Sequence, residues 1–117
     1  MTVVASNYAR EANDLYQTEP WATRALLRHL PIEDGTPIWE PSAGNHLMAD
    51  VLTEHGGRVI TSDIVVYDRQ HHRILDFLNS HERYGEDWIV TNPPYGKGNR
   101  DAVKYARLAL SRTSGYV

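Results

Sequence analysis

Apolar positions along this chain fall into two rhythms, short solid runs and stretches spaced at helical intervals, and the two alternate. Residues 16–31, "YQTEPWATRALLRHLP", carry the helical rhythm. Thr18 is placed to cap that helix, Pro20 falls in its first turn where a missing N–H costs little, and Pro31 ends it. Trp21, Ala25, Leu26 and Leu30 share one face, which is expected to dock on the rest of the fold.

After the turn "PIEDG", "TPIWEPSAG" reads as a short strand running into a loop of small residues. "NHLMADVLTEHGG" places Leu47, Val51 and Leu52 at helical spacing and closes with a glycine pair suited to a C-cap. "RVITSDIV" is a second short strand that should end at Asp63. Over "YDRQHHRILDFLNSHERYGED" the pattern weakens to a short helix or loop, then a brief strand near "RILDF". "DWIVTNPPYG" is the next strand and its exit, "NRDAVKYARLALSRT" a closing helix, and "SGYV" a strand barely begun. Residues 1–15 show no clear periodicity and read as an irregular arm.

Strand and helix in alternation predict an α/β fold with a parallel sheet and right-handed crossovers. Ligands in such sheets bind beyond the carboxyl ends of the strands. The informative residues are therefore those that end strands: Glu40 to Asn45, Asp63, Asp76, and Asn92 to Tyr95.

Composition narrows the picture only where it excludes. At 117 residues the chain is a single domain, no apolar run is long enough to span a bilayer, and the first residues lack the order of a signal peptide. Without cysteine there is neither a disulfide framework nor thiolate chemistry, and a cytoplasmic setting is the default. A net charge of −3 does not advertise a nucleic-acid binder, yet Lys97, Arg100, Lys104, Arg107 and Arg112 against Asp101 make a local positive excess. That excess is either a solvated helix face or a surface for phosphate.

The strand end at Asn92, Pro93, Pro94 and Tyr95 carries the sharpest chemistry. Two prolines stop sheet hydrogen bonding, stiffen the turn and push Asn92 to extended geometry. The edge offers acceptors, the Asn92 amide oxygen and proline carbonyls, with few competing donors and one aromatic ring. Such an edge suits a planar group that donates N–H. "WEPSAGNH" puts an acid at a strand end, then small residues that let a ligand approach the backbone, then a helix N-terminus that favours an anionic group. The same loop could need small residues only to pack.

Asp63, about twenty residues on, can accept from the two hydroxyls of a ribose, or serve simply as a turn residue. Asp76 could accept from an adenine amine while Phe77 packs on the base; a surface acid beside a core aromatic is the plainer alternative. Six histidines, with His71 and His72 adjacent, supply no spaced set of ligands, so no metal is expected. No serine or histidine sits in an activating context for nucleophilic catalysis.

Together, "NPPY" after an apolar strand, with "EPSAG" and "SD" ahead of it, resembles the S-adenosylmethionine-dependent amino-methyltransferases, most closely the N6-adenine DNA methyltransferases. The resemblance runs from about Tyr16 to the end of the chain and implies a Rossmann-like methyltransferase fold with a partial parallel sheet. It implies that Asn92 and the Pro93 carbonyl accept the N–H bonds of the target amine, that Pro94 stiffens the turn, and that Tyr95 stacks on a flipped base. It also implies S-adenosylmethionine as cofactor, held by Thr18, by Glu40, Pro41, Ser42, Ala43 and Gly44, by Asp63 with Ile64, by Asp76 with Phe77, and by Asn92.

Where the family often has a further glycine, this chain has Asn45 and His46. Relative to the family it stops at "SGYV", so the resemblance predicts roughly the first half of a seven-stranded domain. DNA is then the expected partner, with self-association or a second chain completing the sheet, and no membrane. The same turn also serves methyltransferases of protein glutamine or of RNA guanine, and a cofactor-binding subunit without turnover is a third reading.

Overall fold

Solidly apolar strands belong in a sheet covered on both faces, and β1, Pro37–Glu40, sits at the centre of one. In the computed structural model, which describes residues 17–117, β1 pairs in parallel with β2, Arg58–Asp63, placing Pro37 opposite Arg58 and Glu40 opposite Thr61. β3, Arg73–Ile74, continues the sheet beyond β2, and β4, Trp88–Ile89, flanks β1 on its other side. The order β3-β2-β1-β4 is all parallel. It reverses direction at β1, so the crevice between the carboxyl ends of β1 and β4 is the topological switch point, where such sheets take ligands.

Consecutive strand residues point to opposite faces, and β1 uses both. Ile38 enters a core with Leu27, Ile32, Val51, Leu52, Trp88 and Val90. On that side lie α1, Pro20–Leu27, and α2, Leu47–Glu54. Trp39 enters the opposite core with Phe77, Ile89, Tyr105 and Ala109, closed by α3, Arg100–Arg112. There the Trp39 indole meets Phe77 edge-on at 5.1 Å and donates its N–H to Ser62 Oγ at 3.0 Å, pinning β1 to β2. The architecture is thus α/β, an all-parallel sheet flanked by helices, and it is compatible with a Rossmann-like fold.

"SGYV" does begin a strand. Tyr116 bridges to Trp88 in parallel, the Ile89 N–H donating to the Tyr116 carbonyl and the Tyr116 N–H to that of Asp87, each at 2.9 Å. The Trp88 and Tyr116 rings stack at 4.6 Å. A side chain at Gly115 would overlap the Asp87 carbonyl, so glycine is what lets the tail approach β4.

The first helix departs from expectation in two ways. Its N-cap is Glu19, without a side-chain cap bond, while the Thr18 hydroxyl is engaged elsewhere. Its inward residues are Thr23 and Leu27 rather than the Trp21 and Leu26 face; Trp21 is 71% exposed. Leu27 is the residue that reaches α2 and the core around Ile38, which turns the Trp21 and Leu26 edge outward. The arm over residues 1–15, and Tyr16, lie outside the described residues. Among the described residues no helix is long and apolar enough to cross a membrane.

Candidate functional site at the carboxyl ends of the strands

Glu40 ends β1 with its side chain buried. One carboxyl oxygen, Oε1, accepts the Ser42 N–H at 2.8 Å and the Thr91 hydroxyl. Thr91 follows β4, so this carboxyl ties the loop after β1 to the exit of β4 across the switch point. Burial pushes its pKa up to about 8; the bonds from Thr91 and Ser42 pull down, and nearby Asp63 adds a further upward push. Glu40 therefore keeps its proton near neutrality. Pro41, Ala43 and Gly44 beside it are buried.

Asp63 ends β2 as its spacing predicts, and its carboxylate is spoken for by backbone. Gly44 N–H donates to Oδ2 at 2.9 Å and Ile64 N–H to Oδ1 at 2.7 Å. Asp63 thus fixes the small-residue loop after β1. A carboxylate oxygen accepts more than one bond, which leaves it chemically able to take ribose hydroxyls as well. Ile64 beside it is exposed.

Asp76 caps the 3-10 turn Phe77–Asn79, accepting from Leu78 N–H at 3.2 Å and from the Asn79 amide at 2.6 Å. Phe77 is fully buried, stacked on Tyr105 at 4.8 Å with the Arg112 guanidinium 5.0 Å from its ring centre. In this packing the ring is a core residue and not a platform for a base, so the plainer of its two sequence readings is the one its burial fits.

The proline turn is held by a relay of side chains. Asn92 Nδ2 donates to Thr18 Oγ1 at 3.0 Å, and the Tyr95 hydroxyl donates to Asn92 Oδ1 at 3.0 Å. Asn92, Pro93 and Pro94 are half-buried, and Tyr95 is 44% exposed at the rim. Gly96, in a left-handed conformation, turns the chain back, and Asp101 and Ala102 N–H groups close on the Tyr95 carbonyl.

Asn45 and His46 anchor a strap across the loop after β1. The Asn45 amide oxygen accepts the Asp68 N–H at 2.8 Å, and its backbone N–H donates to Gln17 Oε1 at 3.4 Å. His46, left-handed at φ 69°, caps α2, and its Nε2 lies 2.8 Å from His71 Nδ1. His71 Nε2 meets the Val65 carbonyl at 3.0 Å, so that nitrogen carries the proton and His46 is the donor of the pair. Arg69 adds a two-point contact to Asp50 on α2. The segment from Ile64 to His72 is thereby tied down across the start of α2. His72 Nδ1 accepts from the Thr61 N–H at 3.0 Å, bracing β2 against the strand that follows.

Tyr105 is the site residue that motif reading missed. From α3 its hydroxyl comes near Ser42, whose side chain lowers its pKa, while burial and then Asp63, Glu40 and Asp76 raise it more. Its helical spacing with Ala109 and Arg112 marks the inward stripe in sequence; its proximity to the loop after β1 does not appear there.

The crevice thus gathers two acids at neighbouring strand ends, a close backbone loop, and an acceptor-rich turn with an exposed ring. Asp63 is the acceptor in this set for paired hydroxyls such as a ribose carries, and Glu40, buried and protonated, adds no negative charge. Among the described residues no three His, Cys, Asp or Glu side chains are grouped to hold a metal ion. No family model, no curated protein and no solved structure matches the chain.

Proposed function

We propose that the chain transfers a methyl group from S-adenosylmethionine to the exocyclic N6 amine of adenine in DNA, the base being swung out onto the Asn92–Tyr95 turn. The observation that carries this reading is the relay Thr18–Asn92–Tyr95, which sets an amide acceptor and an exposed ring beside the Glu40 and Asp63 crevice. When bound, the cofactor supplies an electrophilic methyl on a sulfonium.

Asn92 Oδ1 and the Pro93 carbonyl accept the two amine N–H bonds, Asn92 in exchange with or alongside the Tyr95 hydroxyl. Held in this way, the amine nitrogen aims its lone pair at the methyl carbon. The nitrogen so held would take the methyl that the cofactor supplies, and with Asn92 and Pro93 as acceptors the spare amine proton would leave to water. Positioning and electrostatics do this without a strong base. Pro94 keeps the turn rigid and adds no competing donor. Thr18 holds the Asn92 amide so that its oxygen, not its NH2, faces the rim.

The test is calorimetric titration with S-adenosylmethionine beside Asp63→Ala, followed by transfer of labelled methyl to adenine-containing DNA beside Asn92→Ala. Binding lost in the first variant, and transfer lost with binding retained in the second, is the expected pattern. A folded wild-type chain that binds no cofactor overturns the reading; binding without transfer leaves a cofactor-binding subunit.

A further inference from the structure

We propose that α3 presents a ridge of cations that tracks the sugar–phosphate backbone of a DNA strand, running from Tyr95 through Lys97, Arg100, Lys104 and Arg107. The choice of DNA rests on the adenine-methylation reading; the ridge itself rests on geometry.

All four cations are exposed. Arg100, Lys104 and Arg107 follow one another at intervals of four and three residues, so they line one side of the helix. Among the described residues none of the four forms an ion pair. The helix's own acid, Asp101, is folded back under the turn, where its carboxyl fills the space a side chain at Gly96 would need. The outward face is therefore of one sign, on a chain whose net charge is −3.

Lys104, Arg107 and Ser111 also line a groove of about 380 Å3 with Leu78 and Leu108, a lining without an acid. Phosphate oxygens suit its cations and hydroxyl, and a sugar suits its apolar floor.

At its upper end the ridge meets Tyr95, 44% exposed. An aromatic platform leading into a positive track is the arrangement that holds single-stranded nucleic acid. At 1.5 Å per residue, Arg100 to Arg107 covers roughly 10 Å, the axial rise of about three nucleotides of a stacked strand at about 3.4 Å each. A membrane surface is a poorer fit, because a helix that lies on lipid keeps an apolar face for the acyl boundary. Here Tyr105 and Ala109 are buried in the core, which leaves Val103 and Leu110 as the large exposed apolar residues of α3.

The test is fluorescence anisotropy of the full chain with a labelled adenine-containing single strand across a salt series. Four phosphate contacts predict a slope of log K against log salt of about −2.8 for a single strand. Lys104→Ala with Arg107→Ala should flatten that slope by about 1.4 and weaken low-salt binding at least about tenfold. Circular dichroism should show both proteins folded, and Arg58→Ala, at the amino end of β2, should bind as wild type.

An unchanged slope and affinity in the double variant overturns the ridge, as does a folded wild-type chain that binds no DNA. Capture by phosphatidylserine vesicles that DNA does not compete away also overturns it. If DNA binding depends on the ridge but no methyl transfer occurs, the methylation reading fails and the ridge stands.

Discussion

Asn92 donates its side-chain N–H to the hydroxyl of Thr18 at 3.0 Å, across 74 positions of sequence. That bond takes Thr18 out of helix capping and into the site: it orients the amide on which the proposed chemistry depends. Thr18→Val keeps the shape and removes the acceptor. It should lower stability by about 0.5–1.5 kcal/mol in urea titrations and, on the proposed function, lower methyl transfer by about tenfold with cofactor affinity retained. Equal transfer by the variant would mean that the turn orients Asn92 unaided.

Glu40 should give the fold an inverse dependence on pH. Its pKa rises from 4.5 to about 8 on burial. Between those values the folded state holds a proton that the unfolded state has released. Stability from this group is therefore full below pH 4.5 and is lost as pH climbs through 8. Glu40→Gln keeps an oxygen for Ser42 and Thr91 and abolishes the titration. Relative to wild type it should gain stability on the order of a few kcal/mol between about pH 5 and 8.5. Parallel curves for the two proteins would show that the carboxyl ionises normally.

His46 acts in the opposite sense. Its burial comes first, and then His71, Arg69 and His72 push its pKa below 6.5, with Asp50 pulling the other way. The unfolded chain takes up the proton first on acidification, so stability is present above 6.5 and is lost as pH falls through it. His46→Asn tolerates the left-handed backbone. The gap in melting temperature between wild type and variant should shrink from about pH 7.5 to 5.5. A gap that widens would place the charged imidazole in the folded state.

Gly115→Ala should release the tail from β4. The new methyl meets the Asp87 carbonyl, a backbone atom that cannot yield without breaking the Tyr116 bridge. A loss of about 1–3 kcal/mol is expected, with faster hydrogen exchange at the Ile89 and Tyr116 amides. Unchanged protection at both amides would show that the tail docks by its rings alone.

Tyr116 and Val117 are exposed, and Val117 borders an apolar hollow of about 200 Å3 with Leu26, Leu30, Trp88 and Val90. The outer edge of this strand should therefore drive association that grows with concentration in light scattering, and Val117→Lys should reduce it. A wild-type chain that stays monomeric at high concentration removes the expectation of a partner completing the sheet.

Most of the sheet could be read from sequence because its strands face two cores, which makes "IW" and "VI" apolar on both faces whatever their neighbours. Glu40 and Asp63 were legible as strand ends for the same reason. The first helix departs from its pattern where several apolar residues compete: Trp21, Leu26 and Leu27 all offer a face, and only docking against α2 selects Leu27. Phe77 could be a platform or a core ring until Trp39 and Tyr105 closed around it.

The alternation of strand and helix, the acids at strand ends and the rigid turn at Asn92–Tyr95 are written in the order of residues, because each follows from short-range sterics and periodicity. Only the tertiary structure decided which groups meet: Thr18 with Asn92, Glu40 with Thr91, His46 with His71, Tyr105 with Ser42. Those pairs join residues far apart in the chain, and nothing in a local pattern specifies a partner that burial and sheet order bring within hydrogen-bond reach.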